Sequence, residues 1–380
     1  MAARPRDARS LRVVAEVPLG DGYALRLGVD EEDPRHPVHQ VARRDGAEGE
    51  PLDEPAFIAA LFGAMGVPGD VASASVLSGE QTNTSIVVGL ADGSELVVKL
   101  FRTVQHGENP DVELQCVLSE AGAEFVPRFA GALVAEWPDA AGEVGRGHLA
   151  IAQEFVRGAT DGWVLATRAA AAAVDFADQA RALGATTARM HEVLAARLPT
   201  VGATPVEVAT QAALWRTRFD DAAAAVPGLV AAQDAIESAY EAAAEVPWPA
   251  LQRIHGDLHL GQLLHRDERW IVLDFEGEPL RGLAERTAPE PALRDVAGML
   301  RSFDYAAAAD GGHAAGWGAA ARAAYLDGYR DAAGAAALEP AALLRAFELD
   351  KAVYEALYEA RHRPDWLGIP VAAIERLVAG

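Results

Sequence analysis

The segment His255-Gly-Asp257-Leu-His259-Leu-Gly-Gln262, followed by Ile271-Val-Leu-Asp274-Phe-Glu276, constrains this chain more than any other. It sets an apolar strand pair, around residues 251–276, inside a stretch whose remaining periodicity is helical. Asp257 falls in a short polar loop with glycines at 256 and 261, a composition that suits a constrained backbone beside a ligand. A second carboxylate, Asp274, follows 17 residues later (274 − 257) at the end of an apolar strand. Phosphoryl transfer needs two such groups: one to orient and deprotonate an attacking hydroxyl, one to hold the Mg²⁺ that neutralises a triphosphate. Asp257 is the candidate base. Gln262, through its amide oxygen, and Asp274 are candidate metal ligands, and Glu276 is a further metal or substrate contact. A rival reading takes His255, Asp257 and His259, at i, i+2 and i+4 of an extended strand, as the ligands of a metal-dependent hydrolase. His191, His265 and His313 are isolated and form no second cluster for it, and it leaves Asp274 unexplained.

Strand patterns fill most of the chain before residue 156, and helical patterns most of it after. Residues 11–17 and 23–29 read as strands joined by a Gly20-Asp-Gly22 hairpin turn. Residues 30–52 read as loop, and Asp53 caps a predicted helix to Met65, closed by Gly66 and Pro68. This gives a small N-terminal cap over 1–70. Strands are expected at 73–77, 85–89, 95–101, 130–136 and 148–155, with one helix from Asn109-Pro-Asp111 to about Gly122, making an α+β lobe over 71–156. Residues 157–380 form a mainly helical lobe, with helices expected near 175–198, 206–226, 229–244, 291–305, 318–333, 340–362 and 371–378.

The formal charge of −23 argues against binding to nucleic acid or anionic membranes, and requires that a polyanion such as ATP meet a local positive site. No run of 18 uncharged apolar residues reads as a membrane span. Met1 to Arg12 is basic and polar without the apolar core of a secretory signal. The single cysteine, Cys116, rules out an intrachain disulfide and fits a reducing cytoplasm. We expect a cytoplasmic monomer or weak homodimer.

Lys99 stands inside an apolar strand and needs an anionic partner, since an unpaired buried ammonium is costly. Glu113, on the next helix, is the expected one, in the manner of the kinase lysine–glutamate pair that grips the α- and β-phosphates. The loop Ser78-Gly79-Glu-Gln-Thr82-Asn-Thr84-Ser85 joins two strands where backbone amides and hydroxyls can cradle phosphate. Gln153-Glu154-Phe155-Val156 ends a strand where the helical half begins, the place of an adenine-binding hinge in a two-lobed kinase. On the predicted helix 347–362, Asp350, Tyr354, Tyr358 and Arg361 share one face, flanked by Lys351, Glu355 and His362, with Trp366 just beyond. Aromatic planes beside charged groups suit a sugar.

These residues resemble a known group. His255-Gly-Asp-Leu-His-Leu-Gly-Gln262, Asp274-Phe-Glu276, Asn109-Pro-Asp-Val-Glu113, Gln153 to Trp163, Asp295 to Tyr305, and Asp350 to Glu355 with Arg363-Pro-Asp-Trp366 look like the actinobacterial maltokinases. The related glucosamine kinases share the pattern, and the resemblance covers roughly residues 75 to 380. It implies a bilobal, aminoglycoside-phosphotransferase-like kinase fold with an N-terminal cap, using ATP and Mg²⁺. Carried over, Lys99 binds phosphates, Glu113 orients it, Asp257 is the base, Gln262 and Asp274 hold magnesium, and His259 lies at the sugar. Glu276 stands where protein kinases have the glycine of Asp-Phe-Gly, which argues against a protein substrate. The cap of about 70 residues is shorter than is usual for maltokinases, and this favours glucosamine over maltose, with an aminoglycoside third. Asp304, Glu355 and Glu359 are candidates for the carboxylate that meets the sugar's ammonium, and Tyr354, Tyr358 and Trp366 for the aromatic planes against its ring.

Overall fold

The structure, a computed structural model, describes residues 11–33, 37–77, 83–278, 281–309 and 315–379. It divides into two compact units, Met1–Arg157 and Gly158–Gly380.

In the first unit, β1 (Arg12–Gly20) and β2 (Tyr23–Val29) pair antiparallel. Their turn places Asp21 and Gly22 at φ 51° and 78°, the left-handed pair that a type I′ hairpin requires. β3 (Val38–Arg44) extends this sheet from within the segment expected to be loop, because its alternate residues, from Val38 to Ala42, are buried. α1 (Pro55–Met65) starts at Glu54 rather than Asp53 and stops on Gly66 at φ 70°. There follow β4 (Val71–Val76), β5 (Asn83–Leu90), β6 (Glu95–Phe101), the short β7 (Thr103–Val104), α2 (Pro110–Glu120), β8 (Phe129–Pro138) and β9 (Val144–Glu154). Five of these strands form one antiparallel sheet in the order β4-β5-β6-β9-β8, while β7 completes a second sheet, β1-β2-β3-β7. Leu25, Leu27, Phe57 and Leu61 join Ile86, Val98, Leu100, Trp137 and Leu149 in a single buried cluster. The first seventy residues thus share their core with the sheet that follows.

The second unit opens with β10 (Thr160–Asp161) and α3 (Gly162–Ala171), a helix that alanine-rich sequence without clear periodicity concealed. α4 (Ala177–Arg197), α5 (Pro205–Ala225) and α6 (Gln233–Glu245) come next, then the hairpin β11 (Leu263–Arg266) and β12 (Arg269–Val272). β10 pairs with β11, so β11, the first strand of the hairpin that follows the Asp257 loop, is the central strand of a three-stranded sheet. α7 (Leu283–Arg286), α8 (Leu293–Ala308), α9 (Ala315–Ala333), α10 (Ala341–His362) and α11 (Gly368–Ala379) complete the unit. No helix among the described residues is long and apolar enough to cross a membrane.

Two glycine contacts set the packing of this unit. α4 and α9 meet backbone to backbone: a Cβ at Gly184 would lie 2.0 Å from the Tyr325 carbonyl oxygen, and one at Gly328 2.0 Å from that of Arg181. Closer to the loop, a Cβ at Gly162 would lie 2.7 Å from the Leu260 oxygen, and one at Gly298 2.8 Å from that of Leu258. α3 and α8 therefore clamp the loop after Asp257 from two sides. We expect Gly184→Ala to lower unfolding free energy by about 1–3 kcal/mol, the usual cost of overpacking. Thermal melting reads this directly, and a melting temperature within one degree of wild type would mean the helices can part freely.

Candidate active site

The loop around Asp257 is held by a buried carboxylate. Asp295, in the first turn of α8, accepts the backbone N–H of His255 at 2.8 Å and of Gly256 at 2.9 Å. It also meets His191 Nε2 of α4 at 3.0 Å, and the Tyr329 hydroxyl lies 2.9 Å from His191 Nδ1. Burial opposes the charge on Asp295, but the hydrogen bond and charge of His191 outweigh it and hold its carboxyl below the usual range. The His255 ring lies in the same network: its Nε2 is 3.0 Å from the Leu273 oxygen, and its Nδ1 accepts the N–H of Asp257 at 3.3 Å. Gly256 adopts φ 83°, a left-handed turn that glycine makes without strain. Both ring nitrogens of His255 are thus occupied by backbone, so the metal-ligand triplet of His255, Asp257 and His259 is not assembled.

Asp257, fixed in this way, faces a cleft lined by Leu258, Glu278, Phe347, Asp350, Lys351 and Tyr354, with Arg218 and Arg294 behind. Lys351 Nζ donates to Asp257 Oδ1 at 3.3 Å and to Glu278 Oε1 at 2.8 Å. Burial works against the Lys351 charge, but Glu278 and Asp257 hold the ammonium well above its ordinary pKa. Burial likewise opposes ionisation of Glu278, and Lys351 and Arg294 overcome it, keeping the carboxyl far below its ordinary range. Glu278 also bridges to Arg281 at 3.2 Å and to Arg294 at 2.9 Å. Asp350 gives one oxygen to Arg218 at 2.5 Å, and burial raises its pKa.

Asp274 follows β12 at φ 61°, a left-handed conformation that a non-glycine residue adopts under strain. Oxygens of Asp274 and Glu276 lie within 4.8 Å of one another, a hard-donor pair of the kind Mg²⁺ takes. The backbone of Gln262 ties this strand end to the loop: its oxygen accepts the Leu273 N–H at 2.9 Å, and its own N–H donates to the His259 oxygen at 2.9 Å. His259 Nδ1 accepts the Gly261 N–H at 3.1 Å, and its Nε2 lies 4.0 Å from Asp257.

In the first unit, Lys99 projects from β6 on the face opposite Leu96, Val98 and Leu100. Its Nζ donates to Asp111 Oδ2 at 3.1 Å, with 13% and 5% of the two side chains exposed. One acidic partner is thus Asp111 in the first turn of α2; Glu113, the partner expected from the sequence, stands in the same first turn two residues further along. Thr84 and Ser85, at the end of the segment read as a phosphate loop, stand in β5; Thr84 Oγ1 accepts from Arg102 Nε at 2.6 Å, and Ser85 pairs in register with Lys99. Ser78, Gly79 and Thr82 lie outside the described residues. Gln153 and Glu154 close β9, where they pair with Val97 and Leu96, and the Phe155 N–H donates to the Glu95 oxygen at 3.1 Å. Val156 is buried next to them.

The profile of the phosphotransferase enzyme family matches residues 73–344. The chain belongs to this family. It is 32% identical to a glucosamine kinase of Streptacidiphilus jiangxiensis over 97% of this chain and 91% of that protein. A glucosamine kinase of Mycolicibacterium smegmatis is 30% identical over 79% and 78%. The solved structure of a glucosamine kinase in complex with glucosamine, ADP and inorganic phosphate superposes with a TM-score of 0.77 at 27% identity, over 97% of this chain and 95% of that one. The fold is that of aminoglycoside-phosphotransferase-like kinases, as its sequence motifs implied.

Of the sugar-site residues read from the sequence of this phosphotransferase, Lys351 and Tyr354 line the Asp257 cleft. Asp304, Glu355, Glu359, Tyr358 and Trp366 do not. Asp304 and Glu355 are both taken by the fully buried Arg301, at 2.5 and 2.8 Å. Glu359 accepts from the Tyr305 hydroxyl at 3.0 Å and from Arg363 at 2.5 Å. Trp366 stacks on Tyr305 at 6.0 Å, and Tyr358 on His362 at 4.5 Å. These side chains hold α8 and α10 together, so none of the three proposed carboxylates is placed for an ammonium in that cleft. Glu278 and Arg218 escaped the sequence reading; Asp350 entered it only as part of the polar face of its helix, and Asp295 only as the first residue of a motif. We expect Asp295→Ala to cost about 3–5 kcal/mol in chemical denaturation, since it strands two buried amides and a histidine. A loss under 1 kcal/mol would show that the loop does not depend on it.

Proposed function

We propose that this phosphotransferase moves the γ-phosphoryl of MgATP to the 6-hydroxyl of glucosamine, giving glucosamine 6-phosphate and ADP. The observation that carries this reading is the likeness to glucosamine kinases along nearly the whole chain, including the residues before 73. Asp257, anchored and facing a cleft, is assigned as the base: it orients the sugar hydroxyl and takes its proton as that oxygen bonds to the γ-phosphorus and ADP departs. Lys351 holds Asp257 in place through their 3.3 Å ion pair. Gln262 and Asp274, with Glu276 nearby, are the residues that would hold Mg²⁺, which supplies charge neutralisation when bound. On the first unit, Lys99, set by Asp111 and with Glu113 on the same helix, is assigned to the phosphates. Ser78, Gly79, Thr82, Thr84 and Ser85 are assigned to the triphosphate and Gln153 to Val156 to adenine. His259, beside the base, is assigned to the sugar.

ADP release with MgATP over glucosamine, glucose, N-acetylglucosamine, maltose and kanamycin tests the acceptor. We expect turnover with glucosamine above all others; turnover with maltose alone would replace this reading by the maltokinase one. Asp257→Asn should lower turnover by about 10²–10⁴-fold while calorimetric binding of MgATP persists. Near-normal turnover in that variant would remove Asp257 from the role of base.

A further inference from the structure

One group in the cleft has a capacity that the fold does not use. Asp350 is buried, its side chain 8% exposed, and it lines the same cleft as Asp257, Lys351 and Tyr354. Its Oδ2 takes Arg218, but its Oδ1 has no hydrogen-bond partner among the described residues. The contrast with other buried carboxylates of this unit is informative. Asp295 uses both oxygens on donors, as do Glu290 and Glu359. A buried carboxylate oxygen left unpaired is costly, and natural structures keep one where a ligand supplies the missing donor.

The surroundings narrow the donor. The lining around Asp350 includes the apolar Phe347 and Leu258, and the other cations of the cleft, Lys351 and Arg294, are already ion-paired to Glu278, Asp257 and Glu290. Asp350 itself engages Arg218 at one oxygen. A positive donor on the acceptor would complete it, whereas a neutral hydroxyl would fill only the hydrogen bond.

We propose that Asp350 is the specificity-determining residue of the acceptor site, its free Oδ1 receiving the ammonium of an amino sugar and so separating glucosamine from glucose. This rests on the glucosamine-kinase reading and adds to it the residue that reads the amine. Arg218 is the positioning residue, holding the carboxylate by its other oxygen.

Steady-state kinetics of wild type and Asp350→Asn with glucosamine and glucose test it. The wild type should prefer glucosamine. In Asp350→Asn, kcat/KM for glucosamine should fall by about 30-fold or more, chiefly through KM, the usual range for removing one partner of a buried charged pair. The value for glucose should change by less than about 5-fold, within the scatter of a lost neutral contact. Asp350→Glu, which keeps the charge, should restore most of the preference and guards against a folding defect in the amide. An equal fall for both sugars, or an undiminished preference in Asp350→Asn, overturns the proposal. A wild type that ignores glucosamine and phosphorylates maltose overturns the glucosamine reading itself, and this proposal with it.

Discussion

The helical unit depends on one interaction, the carboxylate of Asp295 receiving the amides of His255 and Gly256. A loop with a glycine at φ 83° has no secondary structure of its own to fix it. Its amides would be exposed to an apolar interior, and an uncompensated buried donor costs about 1–3 kcal/mol each. Asp295 settles both at once and is itself kept ionised by His191. His191 in turn reaches Tyr329, so α4, α8 and α9 are tied to one loop. From there the order propagates through His255. One ring nitrogen receives the amide of Asp257 and the other lies on the Leu273 carbonyl, which joins Asp257 to the strand end that presents Asp274. Two carboxylates with different tasks are thereby positioned by a single polar network, which the clamping glycines Gly162 and Gly298 press against α3 and α8.

Charge is arranged on the same principle. The chain carries a formal −23, yet in this unit several acids of low exposure gather with arginines and a lysine in two separate groups. In one, Glu278 and Glu290 share Arg281 and Arg294, and Glu278 also takes Lys351. In the other, Asp304, Glu348 and Glu355 share Arg301, Arg322 and Arg376. Buried pairs of this kind add little net stability, because desolvation consumes most of the attraction. Their effect is to fix geometry: removing any one member would leave the others as uncompensated charges. The second group joins α8, α9, α10 and α11 and does not line the cleft, although two of its residues, Asp304 and Glu355, looked like sugar ligands in the sequence. The first group borders the cleft, and through Lys351 its field reaches Asp257.

This division explains what the sequence could disclose. The loop and strand end from His255 to Glu276 were legible because their chemistry is local: the glycines, the carboxylates and the apolar strand all fall within a few turns of chain. The alternation of strands before residue 156 and the helical periodicity after it were legible for the same reason. What stayed hidden was tertiary. Asp350 meets Arg218 across 132 residues, and Arg301 meets Glu355 across 54. On α10 the polar residues of one face read alike, and only the docking of that helix decides that Lys351 and Tyr354 meet the cleft while Glu355 turns to Arg301. β3 was missed because Arg, His and Gln among its residues mask a regular alternation of burial.

The turn from Asp274 to Glu278 bears on the kind of acceptor. Phosphotransferases that act on proteins use this region as a mobile switch, which requires a backbone that can let go. Here each position is engaged. Asp274 is held at φ 61°, and Phe275 is fully buried with its ring 4.9 Å from that of His255. The Glu276 carbonyl accepts from Arg286 at 3.0 Å, Gly277 makes the turn at φ 73°, and Glu278 is locked to Lys351. A strained residue persists only where its surroundings over-determine it, and these contacts supply that determination. Releasing the turn would free a buried aromatic ring and uncouple Glu278 from the lysine that holds the base, at a cost of several kcal/mol. The segment therefore acts as a fixed wall beside Asp257. That geometry suits an acceptor small enough to enter a preformed cleft, and leaves discrimination among such acceptors to the side chains that line it.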